Sequence, residues 1–151
     1  MTEVAPVPAS DPSTVPASDP STDDDRSRGL AALERHEWPE AFRLLSQADA
    51  AGTLSAQDLE GLAQSAFFTA QPDHEIEILE RAFAAHQAES DPHRAAFIAV
   101  SVAEKYFFMG NFVISGSWIR RAEKLIGAEG DTYVHGYIAM ARSWVARGSG
   151  D

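Results

Sequence analysis

The sequence has no cysteine among its 151 residues. Disulfides, thiolate metal sites and cysteine nucleophiles are thereby excluded, and a reducing compartment fits. Long apolar runs are missing too. The stretch 95–103 is interrupted by Ser101 and stopped by Glu104 and Lys105, far short of the roughly 18 residues a membrane-spanning helix needs. Cations are scarce: 12 Lys and Arg stand against 23 Asp and Glu, a net charge of −11. A chain so acidic lacks the Lys and Arg that would face phosphate in nucleic-acid binding, and an anionic membrane surface does not attract it. Glycine-rich phosphate loops of the Walker or dinucleotide type are absent. Ser101, Ser115 and Ser117 sit in no nucleophile elbow.

Proline is unevenly spread, with five of the eight in residues 1–26. There the eight residues from Val7 to Thr14 recur unchanged as Val15 to Thr22, followed by Asp23, Asp24 and Asp25. Pro, Ser and Asp cannot bury enough apolar surface to offset the cost of ordering the backbone. Residues 1–26 are therefore read as a disordered, extended acidic tail. They lack the basic start and apolar run of a signal peptide, so the expected location is the cytoplasm.

From Arg28 onward apolar residues recur with a helical period. Leu59, Leu62, Ala63, Ala66, Phe67 and Ala70 form one stripe, and Ile76, Leu79, Ala82 and Phe83 a second. Ala95 to Phe108 is apolar on nearly all sides, which predicts a helix buried between neighbours. Trp118, Ile119, Ala122, Leu125 and Ile126 form another stripe, and Tyr137, Ile138, Ala141, Trp144 and Val145 the last. Nothing alternates with period two, so the fold class is all-α. Ser55 with Asp58 suggests a capping box, and Asp91 before Pro92 a capped helix start. Pro39 suits another start, with Asp73 as a cap after Pro72, and Gly52, Gly127 and Gly130 suit helix ends. These signals predict helices near 28–36, 39–51, 56–70, 74–89, 93–109, 112–127 and 132–147, antiparallel because the connections are short. The helical domain is placed at 27–148.

The segments 36–41, 70–75 and 110–115 each join two helices. Seven residues before each lies a small residue: Gly29, Ala63 or Ala103. Four residues after each comes an aliphatic, Leu45, Leu79 or Ile119, and seven after comes Ala48, Ala82 or Ala122. Small residues at fixed points let two helices approach closely. This spacing resembles the tetratricopeptide repeat, a 34-residue helix-turn-helix unit. From Ala41 to Glu75 is 34 residues; from Glu75 to Ser115 is 40, which predicts a longer loop or helix extension near Ser90. Glu75 stands where that family prefers a small residue. The last helix fits the first half of a fourth unit, so it is expected to be completed by further chain or by another molecule. Residues 33–50, 115–127 and 135–143 also look like the N-terminal repeat region of actinobacterial LuxR-type regulators. No basic recognition helix accompanies them, so direct DNA binding is not carried over.

The tetratricopeptide resemblance implies a concave groove lined by the first helix of each unit. Its positions would be Glu60, Gln64, Phe67 and Phe68, then Phe97, Val100, Glu104, Phe107 and Phe108, then His135, Ile138 and Arg142. Two Phe pairs recur at matching positions, and a Phe-rich groove suits an apolar peptide or helix. The competing reading places one Phe of each pair in the core. Apolar surface of this extent seldom stays uncovered, which points to self-association as well.

Chemistry finds little to work with. His36, His74, His86, His93 and His135 fall into no compact metal spacing. Asp73, His74 and Glu75 are adjacent, so on a helix they diverge. Arg120, Arg121 and Lys124, with Glu123 among them, read as a solvated helix face. No catalytic, metal or cofactor-binding residue is expected. The reading is a non-enzymatic interaction module for a protein or peptide, acting without nucleic acid or membrane. The alternative is the sensory region of a LuxR-type regulator whose DNA-binding domain lies outside this chain.

Overall fold

A computed structural model describes residues 20–127 and 130–149; most of the expected tail, 1–19, lies outside them. The described residues form seven α-helices and no strand: α1 Pro20–Glu34, α2 Trp38–Ala50, α3 Ala56–Phe68, α4 Pro72–Ala88, α5 Pro92–Phe108, α6 Phe112–Ile126 and α7 Tyr133–Ser149. None of these helices is long and apolar enough to cross a membrane.

The chain turns the same way at five helix ends. His36, Ala70, Ser90 and Gly110 each occupy the left-handed region (φ 59°, 56°, 60° and 76°), as does Gly52 after α2 (φ 73°). In every case the N–H of that residue donates to the carbonyl three back. The next N–H donates to the carbonyl five back, as in Glu37 to Ala32, Gln71 to Ala66, Asp91 to His86 and Asn111 to Tyr106. These are Schellman caps, which satisfy the last carbonyls of a helix and reverse the chain sharply. Four of the five connections span only three residues, so successive helices pack antiparallel.

Helix starts follow local chemistry. Ser55 Oγ accepts from the Asp58 N–H, and the Asp58 carboxylate accepts from the Ser55 N–H at 2.9 Å, completing the expected capping box. Asp91 accepts from the Arg94 N–H at 2.9 Å, and Asn111 does the same for Ile114. Gln71, not Asp73, holds the N-cap position of α4; Asp73 lies inside the first turn behind Pro72. Helix α1 starts at Pro20, eight residues earlier than the periodicity places it. The Asp run is what the pattern misjudges. Asp23 sits in the first turn, where the helix dipole favours an anion. Asp24 and Asp25 lie one turn before Arg28, at 3.6 and 3.7 Å, and Arg26 Nε donates to Asp58 of α3 at 2.8 Å.

All nine repeating positions are buried: Gly29, Ala63 and Ala103, Leu45, Leu79 and Ile119, and Ala48, Ala82 and Ala122. Gly29 shows why the position must be small, since a Cβ there would lie 2.8 Å from Leu45 Cγ. The 40-residue interval comes from helix extension: α4 and α5 have 17 residues each against 13 in α2 and α3. The connection between α4 and α5 is shorter than that between α2 and α3. Helix α5 is the central element, buried through Ala95, Ala96, Ile98, Ala99, Val100, Val102 and Ala103, and it packs on α4, α6 and α7. Helix α1 packs on α3 and α5 on α7, whereas α3 and α5 meet through side chains.

A candidate partner-binding cleft

Between α3 and α5 the helices stand apart, and the gap is a cleft of about 290 Å³. Its floor is Ala63, Leu79 and Ile98, and its walls include Glu60, Gln64, Phe67, Phe68, Phe97 and Glu104. Six of the twelve expected groove residues thus come together in one place. Phe67 and Phe68 both follow from the end of α3: the cap at Ala70 stops the helix, and the two rings, 53% and 51% exposed, project from its last turn. Neither belongs to the core. Phe68 stacks on Trp38 of α2 with centroids 4.2 Å apart and planes 15° apart, and Phe67 meets it edge-on at 5.1 Å.

Part-buried ion pairs bridge the helices around the cleft. Glu60 accepts Arg94 Nε at 2.7 Å, pairs its second oxygen with Arg94 Nη2, and lies 2.7 Å from His86 Nε2. One carboxylate therefore ties α3 to α4 and α5. The hydrogen bond to Glu60 raises the Arg94 pKa above its ordinary value. At the other end Lys105 Nζ lies 2.8 Å from Glu75 Oε1 and 4.5 Å from the Phe67 ring centroid. This trio divides the cleft from a second, nearly apolar depression of about 390 Å³, lined by Phe67, Pro72, Ile76, Phe108 and Met109.

The remaining expected positions fall elsewhere. Phe108 is exposed but belongs to the second depression. Phe107 turns towards α6 and α7, 5.5 Å from Phe112 and 6.0 Å from Trp144. Val100 is core. On α7 all three expected residues miss the cleft. Ile138 is 2% exposed inside the core, His135 bonds Thr132 at 2.7 Å, and Arg142 reaches Glu123 of α6 at 3.2 Å. The helix is rotated relative to the expected register because Val134, Ile138 and Ala141 face inward together. Tyr133 and Tyr137 consequently face out, 6.0 and 5.3 Å from Phe97, and they extend the aromatic wall. Tyr137 reads as core when the stripe is started there. Starting it at Val134, with Ile138, Ala141 and Val145 following at helical spacing, places both tyrosines outside.

No family model matches this chain, and no curated protein shows significant similarity to it.

Proposed function

We propose that this chain is a non-enzymatic scaffold of tetratricopeptide-like helix pairs that binds an amphipathic peptide or helix of a partner protein in the α3–α5 cleft. The repeat reading is supported by the recurrence of one turn geometry at His36, Ala70 and Gly110, with the same buried small residues flanking each. The observation that carries the binding reading is the exposure of Phe67 and Phe68 beside an apolar floor. Apolar side chains at helical spacing would fill the space over Ala63 and Ile98, where burial of each large side chain is worth about 1.5–3 kcal/mol. Gln64 and Glu104 on the walls supply polar contacts that fix orientation.

The test is selection of helical peptides from a random library, followed by NMR mapping of the best binder. Amide shifts clustered at Gln64, Phe67, Phe97 and Glu104, together with a roughly tenfold loss of affinity in Phe97→Ala, are the expected results. A footprint on α2 or α6, or selection that enriches nothing, would overturn the reading.

A further inference from the structure

The turns joining α3 to α4 and α5 to α6 lie side by side and form one edge of the molecule. That edge carries six of the nine exposed large hydrophobic side chains among the described residues. Val113 is 80% exposed, Phe108 74% and Met109 62%, and Phe67, Phe68 and Ile114 adjoin them. We propose that this edge is a homodimer interface, occupied by a second copy of the same chain related by a two-fold axis.

Three observations choose that occupant. The first is area. With about 150–250 Å² for a large aromatic side chain, the six residues expose on the order of 700 Å². That exceeds the roughly 300–600 Å² of the largest apolar patch on a typical monomer, and it approaches the ~800 Å² per partner of a standard interface. The second is shape. Val113, 80% exposed in the first turn of α6, follows closely on Phe108 and Met109, which with Phe67, Pro72 and Ile76 line the 390 Å³ depression. Knob and hole on one face are what an isologous contact requires, because each copy then offers the other what it receives. The third is charge. The only charged side chains lining the depression, Lys105 and Glu75, are paired with each other at 2.8 Å, so the depression carries no uncompensated charge in a chain whose net charge is −11. An ionic partner gains nothing there, whereas an equally apolar surface does.

The interface shares Phe67 and Phe68 with the cleft wall, but it does not rest on the cleft reading, since it needs no peptide. Sedimentation equilibrium on the full 151-residue chain tests it directly. The wild type shows a monomer–dimer equilibrium that tightens with added salt, because salt screens repulsion between two acidic copies and leaves apolar contact intact. Val113→Asp and Phe108→Asp each weaken the dimer roughly a hundredfold with an unchanged helical circular dichroism spectrum. Lys124→Asp, on α6 away from the edge, leaves it unchanged. The chain lacks cysteine, so a single spin label on Val113→Cys reports an intermolecular dipolar coupling that disappears on dilution. A strict monomer at every concentration would overturn the proposal. So would a dimer that survives both aspartates, or one that dissociates as salt rises. Peptide binding in the cleft by the monomeric Val113→Asp variant separates the two readings: its presence or absence bears on the cleft alone.

Discussion

Lys105 of α5 reaches back to Glu75 of α4, Nζ to Oε1 at 2.8 Å, at the position where the other two helix pairs carry Ala41 and Ser115. All three residues are buried and follow the turn by the same count. Ser115 settles its hydroxyl by donating to the Ala103 carbonyl at 2.7 Å. A glutamate needs more, and the cation that neutralises it comes from the neighbouring helix. Truncation to Glu75→Ala leaves the ammonium of a mostly buried Lys105 with only the Phe67 ring beside it. The expected cost is about 1–3 kcal/mol in urea unfolding. Adding Lys105→Met should recover most of that loss, since removing both partners of a buried pair is close to neutral. A cost for the single variant no larger than that of an exposed pair would show that water already screens it.

Ala70 and Gly110 hold the same left-handed backbone with different side chains, at φ 56° and 76°. For an L-residue that region costs roughly 1–2 kcal/mol, partly offset by the greater unfolded-state freedom of glycine. Ala70→Gly should therefore stabilise the protein by about 0.5–1 kcal/mol, while Gly110→Ala destabilises it by a similar amount. Thermal unfolding of the two variants checks the pair. Shifts of the same sign would mean that the cap geometry is not shared.

These caps explain what could and could not be foreseen. The helices announced themselves through apolar spacing, through Ser55 and Asp91 as caps and through Pro39, Pro72 and Pro92 near helix starts, because those signals act within one or two turns of chain. The left-handed turns at His36, Ala70 and Ser90 carry no glycine, so the residue type that marks such turns was missing. The cleft was legible where it depends on one helix, as with Glu60, Gln64, Phe67 and Phe68. It failed on α7, where one step of rotation exchanges Ile138 for Tyr137, and only packing against α5 and α6 fixes that rotation. The start of α1 was hidden for a related reason. Part of what holds it is Asp58 of α3, 32 residues away from Arg26.

That contact makes Asp58 a source of pH-dependent stability. Burial alone would raise its carboxyl, but hydrogen bonds from Arg26 and from the N–H and hydroxyl of Ser55 more than compensate and hold it below its usual value. A carboxyl lowered in the folded state contributes stability above its unfolded pKa of about 4. The contribution is lost as pH falls through the lower folded value. Asp58→Asn should cost about 1–3 kcal/mol near neutral pH. It should also flatten the acid limb of stability below about pH 4. Urea midpoints measured across that range for both proteins decide the point, and parallel acid limbs would assign the pH dependence to other carboxylates.

Glu60 is the residue on which three helices converge, and its two partners differ in what they lose without it. Arg94 has a side chain 40% exposed, and it can turn to water. His86 cannot: its side chain is 7% exposed and its Nδ1 already lacks a hydrogen-bond partner, so Glu60 is what satisfies the ring. Glu60→Ala should therefore cost about 2–3 kcal/mol, mostly through the stranded imidazole. Arg94→Ala should cost nearer 1 kcal/mol, the worth of a partly solvated charge-assisted bond. Glu60→Gln should fall between them, since the amide oxygen can replace Oε1, which meets both His86 Nε2 and Arg94 Nε, whereas its NH2 group cannot accept from Arg94 Nη2 as Oε2 does. The cleft should respond in the same order, because this node bridges α3 and α5 where they lack backbone contact. Hydrogen exchange in the first turns of α5 and the middle of α3 should quicken most in Glu60→Ala and least in Arg94→Ala. If Arg94→Ala proves the more damaging, the guanidinium rather than the buried histidine is what the carboxylate serves.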